Sequence, residues 1–130
     1  MAPLPTPSEL EILQVIWRTG PTTVRAVHRT LARNRDIGYS TVLKFMQIMT
    51  EKGTLVRDET VRPQIYTAAK PQEHTQRGIV RDLVDRAFGG SSISLVMKAL
   101  SDRTASADEL RQVRELLDAL ERRPARQKRP

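Results

Sequence analysis

Ser40, Thr41, Lys44, Gln47 and Glu51 are the side chains in this sequence whose types and spacing suggest a shared task. On a helix Ser40, Lys44, Gln47 and Glu51 fall on one face, with Thr41 beside them. Most are uncharged groups that donate and accept hydrogen bonds, with a single lysine among them, unlike the Glu/Lys mixture of an ordinary solvated helix. Covalent chemistry finds no comparable set. There is no glycine-rich phosphate loop, no H-E-x-x-H and no G-x-S-x-G. Cysteine is absent, so a disulfide framework, a thiolate metal site and a cysteine nucleophile are all excluded. His28 lies beside an apolar face with nothing at i+4 to share a metal, and His74 sits on a polar stretch near a helix start. Carboxylates are scattered singly and mostly matched by arginines, as with Asp82 and Arg86 at i+4. The residues point to binding rather than catalysis, with no cofactor and no metal.

The elements that must carry this face follow from periodicity. Val42, Phe45, Met46 and Met49 recur at i, i+3, i+4 and i+7, which makes 38–53 a helix with an apolar inner face. Gly53 stands where a left-handed cap would end it. A short β pattern follows over 54–58, then a polar turn, then a second over 64–68. Leu55, Tyr66 and Ile65 are its inward candidates. Arg57 and Arg62 flank the turn, within reach of a phosphate backbone or minor groove. Asp58 and Glu59 in the same turn argue against a purely electrostatic hairpin.

Upstream, residues 1–7 are proline-rich and extended. Ser8 and Glu11 have capping-box spacing, and Leu10, Leu13, Ile16 and Trp17 give the first helix its stripe. Gly20 and Pro21 end it. Thr22 or Thr23 caps a second helix with Val24, Val27 and Leu31 inward, and 34–38 is a turn. Three helices and a hairpin, the third helix polar on its outer face, make a winged helix-turn-helix. The competing reading of this stretch is an amphipathic helix and a solvated hairpin in a small α/β domain.

Lys70 and Pro71 mark a boundary. Beyond it, Ile79, Val80, Leu83, Val84, Ala87 and Phe88 share one face of a helix over 72–88, and Gly89 and Gly90 terminate it. A fifth helix over 92–102 carries Ile93, Val96, Met97 and Leu100. Ser106 and Glu109 form another capping box before a sixth, striped by Leu110, Val113, Leu116, Leu117 and Leu120. These helices span about 50 residues, a unit that is marginal alone, so their stripes cover either the head or a second copy. A two-fold dimer would set two reading helices about one DNA turn apart. The dimer surface is therefore assigned to Leu83, Val84, Phe88, Val96, Met97, Leu100, Leu110, Val113, Leu116, Leu117 and Leu120. The expected organisation is mainly α with one β-hairpin: a winged-helix head over 1–70, a helical dimerisation unit over 71–123, and a basic disordered tail over 124–130.

Charge follows the same division. Residues 1–70 carry net +4, residues 71–120 net −1 and residues 121–130 net +4. A positive head joined to a near-neutral helical unit suits a polyanion binder with a partner-binding module. At 130 residues the chain can bury roughly 68% of its unfolded surface, enough for a core without staples. Its apolar runs are far too short for a membrane span, and no signal-peptide pattern opens it, so the cytoplasm is the expected compartment.

Several stretches together resemble the BlaI/MecI/CopY family of bacterial repressors. They are S-E-L-E-I-L-Q-V-I-W at Ser8 to Trp17, Y-S-T-V-L at Tyr39 to Leu43, E-K-G at Glu51 to Gly53, and Ile65-Tyr66 closing the wing. The resemblance runs over roughly residues 7–123. It implies a homodimeric winged-helix repressor on a palindromic operator, with the helix of Ser40 to Lys52 in the major groove, the hairpin on the backbone and the C-terminal helices dimerising. On that basis Ser40, Thr41, Lys44 and Gln47 are assigned to base edges or nearby phosphates. Lysine to guanine and glutamine to adenine are the natural pairings. Thr23, Arg25, Tyr39, Arg57 and Arg62 are assigned to the backbone. In the β-lactam-responsive branch, a membrane sensor with a zinc metalloprotease domain triggers cleavage between Asn and Phe in the dimerisation helices. Lys98 and Ala99 align with those positions. The copper-responsive branch ends in a cysteine-rich motif, so the absence of cysteine excludes that route. A protein-interaction adaptor built on the same fold and a ligand-responsive regulator are the alternative functions.

Overall fold

A cap at Thr6 opens the first helix in the computed structural model, which describes residues 4–102 and 104–124. Helix α1 spans Pro7–Thr19. The Thr6 hydroxyl accepts from Glu9 N at 3.2 Å, and Glu9 Oε1 accepts from Thr6 N at 3.0 Å. The capping box therefore lies two residues before the expected Ser8–Glu11 pair. Pro7 explains the shift, since it needs no N–H partner at the first helical position. Glu11 is used instead in an ion pair with Arg35.

Helix α2 spans Val24–Ala32, and the Thr23 hydroxyl accepts from Ala26 N at 3.1 Å to cap it. Helix α3 spans Tyr39–Glu51 behind Gly38, and no side chain caps its start. It ends as the glycine suggested. Gly53 has φ +82°, Thr54 N returns to Met49 O at 2.8 Å, and Gly53 N to Thr50 O at 3.1 Å. That pair of bonds is a Schellman closure, which only a left-handed residue allows.

Strands β1 (Leu55–Asp58) and β2 (Ile65–Ala68) pair antiparallel, with Leu55 opposite Ala68, Val56 opposite Thr67, Arg57 opposite Tyr66 and Asp58 opposite Ile65. Thr22 adds a bridge to Tyr66, with N to O distances of 3.1 and 2.7 Å. The approach to α2 is thereby tied to the hairpin. The core joins all five elements: Ile12, Leu13 and Ile16 of α1, Val24 and Val27 of α2, Val42, Met46 and Met49 of α3, with Leu55 and Tyr66 from the hairpin. Ile12 and Val15 lie outside the expected stripe but are buried, because α1 packs against α2, α3 and β2 together. Trp17 is only half-buried, and its Nε1 donates to Lys70 O at 3.2 Å.

Helix α4 spans Gln72–Ala87, α5 Ser92–Asp102 and α6 Ala107–Glu121. The Ser106–Glu109 box read from sequence is present, with bonds of 3.1 and 3.0 Å. The chain divides into two compact units, one ending at Leu83 and the other beginning at Val84. That division falls inside α4, whereas the Lys70–Pro71 boundary falls just before its start. The fold is the mainly helical, single-hairpin winged helix with a helical C-terminal unit that the sequence called for.

Candidate nucleic-acid interface

The α3 face is built by contrast. Val42, Met46 and Met49 are fully enclosed on one side of the helix. Ser40, Thr41, Lys44, Gln47 and Glu51 are all exposed on the other. The apolar side fixes the helix, so the polar side is presented on a rigid element rather than on a loop. Gly38 provides no side-chain cap and residues 38–41 are exposed, so the first-turn amides at the positive end of the helix dipole are left without a side-chain partner.

Around Tyr39 the fold assembles a small cluster. The Arg25 guanidinium lies 5.7 Å from the Tyr39 ring centre, and the His28 ring meets it edge-on at 5.9 Å. His28 Nε2 is 2.9 Å from Ile37 O, which joins α2 to the turn before α3. His28 is thus a half-buried structural residue, as its position beside the apolar stripe suggested. Two of the assigned backbone contacts, Arg25 and Tyr39, are brought together here. A third, Thr23, accepts from its own helix and still has a hydroxyl proton to donate.

The hairpin differs from the expectation of two reaching arginines. Arg57 Nη2 is paired with Glu59 Oε1 at 2.8 Å, and its Nε is buried without a hydrogen-bond partner. Arg62 Nη1 donates to Glu59 O at 3.0 Å and to Val61 O at 3.4 Å. Both guanidinium groups are engaged by the turn itself. Asp58 Oδ1 accepts from Thr60 Oγ1 at 2.6 Å and Thr60 N at 2.9 Å, and these bonds hold its carboxyl below the usual range.

One contact escaped sequence reasoning. Glu9 is the buried charged residue of the described chain, and its Oε2 accepts from Lys52 Nζ at 2.9 Å. Burial pushes the carboxyl up, but the Thr6 amide and the Lys52 ammonium outweigh it and leave the group lowered. The residues lie 43 apart, so no periodic pattern could pair them. The buried carboxylate fixes the end of α3 from outside that helix.

In the C-terminal unit much of the assigned apolar surface is open. Met97 is 62% and Leu116 58% exposed, with Val96, Leu100, Leu110, Leu117 and Leu120 also exposed, and Ile93 more so than any of them. Leu83, at the end of the first unit, is exposed as well. Phe88 and Val113 are half-buried. Val84 is only 8% exposed and adds no open surface to the stripe. Lys98 and Ala99 are exposed on α5. The basic tail lies outside the described residues except for Pro124.

An open hollow of about 420 Å³ lies in the head beside Ile16, Trp17, Pro21 and Ala68, with Lys70 at its edge. Its lining is largely apolar, without converging polar groups. Among the described residues no group of side chains is placed to hold a metal ion, and no helix is long and apolar enough to cross a membrane.

Residues 5–119 match the family described as penicillinase repressor. A Mycobacterium tuberculosis protein described as transcriptional regulator BlaI is 29% identical over 124 residues, spanning 93% of this chain and 89% of that protein. An uncharacterized 16.5 kDa protein from Latilactobacillus sakei is 25% identical over 114 residues, spanning 88% and 78% respectively.

Proposed function

Since the chain belongs to the penicillinase repressor family of transcriptional regulators, we propose that it acts as a homodimer on a palindromic operator, reading it with α3. The family places it among repressors and outside the enzymes. The carrying observation is the two-sided α3, with Ser40, Thr41, Lys44 and Gln47 displayed over a sealed apolar face. Lys44 and Gln47 supply base-edge contacts, and Ser40 and Thr41 bind bases or nearby phosphates. Thr23, Arg25 and Tyr39 hold the sugar-phosphate backbone and set the register of the helix. Arg57 and Arg62 bind the backbone from the wing once they exchange their present partners.

A second copy covers the C-terminal stripes. Met97, Leu116 and Leu117 are each more than half exposed, and apolar side chains clustered on a surface in this way mark an interaction site. Pairing through them links two heads, so the second half-site is bound at high effective concentration. Release by proteolysis under a membrane metallopeptidase sensor would act by a cut in α5 between Lys98 and Ala99, which stand where the β-lactam-responsive branch has Asn and Phe, and would separate α6 from the head. Such a repressor works in the cytoplasm, where its DNA is.

Footprinting on the chain's own upstream DNA tests this reading. Two protected half-sites about 34–36 Å apart on one face of the duplex are expected. Protection of a single isolated site, or none, would contradict it.

A further inference from the structure

The two acids of the wing divide between different tasks. Asp58 belongs to the turn, since one of its oxygens receives both the Thr60 amide and the Thr60 hydroxyl. Glu59 has no such role in the backbone. Its carboxylate is 63% exposed and meets Arg57 Nη2 at 2.8 Å. Arg57 lies opposite Tyr66 in the ladder, its Nε is enclosed by protein without a hydrogen-bond partner, and its side chain is 29% exposed. The exposed end of this guanidinium is therefore the part a phosphate could reach, and Glu59 occupies it.

We propose that Glu59 is an internal competitor for the phosphate site of Arg57, lowering affinity for every DNA sequence alike. The inference rests on the wing being a backbone contact, as set out above. A carboxylate and a phosphate offer the same anionic oxygens to a guanidinium. The Glu59 side of the pair is open to solvent, and an ion pair screened in this way is weak enough to exchange. Backbone contacts carry no sequence information. Restraining one of them therefore weakens binding to the operator and to other DNA by the same factor and leaves the ratio between them unchanged.

The test titrates the full-length protein and its Glu59→Gln variant against two duplexes, its own promoter and a scrambled sequence, across a salt series. Glu59→Gln is expected to bind both duplexes more tightly, by the same factor of roughly two to five per protomer. The salt slope should change by less than about 0.9 per protomer, because Arg57 neutralises the same phosphate in both proteins once Glu59 is displaced. In an Arg57→Gln background the gain should vanish. Unchanged or weaker binding by Glu59→Gln would overturn the proposal, and would mean that Glu59 orients Arg57 rather than occupying it. A gain that persists without Arg57 would also overturn it, reducing the effect to net charge. Equal binding of wild type to both duplexes would refute operator reading. In that event the comparison on scrambled DNA still decides the role of Glu59.

Discussion

The Glu9 carboxylate lies 2.9 Å from Lys52 Nζ and joins the first turn of α1 to the residue that closes α3. Its other oxygen receives the Thr6 amide at 3.0 Å. One buried group thus serves a helix cap and an inter-helix ion pair. Removing it should leave both Thr6 N and Lys52 without a partner. Glu9→Ala is expected to lose roughly 1–3 kcal/mol of stability, read by urea unfolding through the fluorescence of Trp17, the single tryptophan. A loss below about 0.5 kcal/mol, the level of an ordinary surface substitution, would mean the contact is not formed in solution.

The same group sets a pH dependence. Its carboxyl is lowered from the ordinary 4.5, so the folded state binds this proton less readily than the unfolded one. The stabilisation is complete above 4.5 and declines as pH falls through the lowered folded value. Urea unfolding at a series of pH values should show Glu9→Gln losing less stability than wild type across that acid window. Parallel curves would rule out Glu9 as the titrating group.

How much of this was legible in the sequence depends on the range of the interaction. The register of α3 was readable because Val42, Met46 and Met49 repeat at helical spacing and leave one consistent outer face. The α6 cap was readable because Ser106 and Glu109 are satisfied by each other alone. The α1 cap was ambiguous: Thr6 and Glu9, and Ser8 and Glu11, have the same three-residue spacing. Pro7 and the distant Arg35 decide between them. The engagement of Arg57 by Glu59 was also hidden, since composition alone shows two basic and two acidic groups around the turn without saying which pairs form.

The end of α3 gives a backbone prediction. Gly53 has φ +82°, and a Cβ there would meet nothing within 4 Å. Gly53→Ala should therefore cost about 1–2 kcal/mol from conformation alone, without a packing penalty. Denaturant unfolding measures it, and a neutral result would mean that the Schellman closure is not kept in solution.

For the outer face of α3, Lys44→Ala and Gln47→Ala should each cost roughly 1–3 kcal/mol on promoter DNA if each makes a good base pair contact. Both side chains are exposed, so folding should be unaffected. Binding to scrambled DNA should fall much less, Lys44 contributing only its charge there. Equal losses on both duplexes would move these residues from base reading to the backbone.

In the C-terminal unit, Leu117→Asp places a carboxylate in the exposed stripe. Sedimentation should then report monomers, with promoter affinity falling by about 10²-fold or more as the half-sites become unlinked. A Leu117→Asp protein that remains dimeric would place the subunit contact elsewhere.

The central claim, that a two-sided α3 reads an operator as part of a dimer, is tested most directly by titrating the full chain against its own promoter and a scrambled duplex at 50 and 200 mM salt. Two protomers per promoter duplex and a clear preference for it are expected. Affinity should fall roughly 10³-fold or more between the two salts if six or more phosphates are neutralised. Equal, weak binding to both duplexes would contradict it.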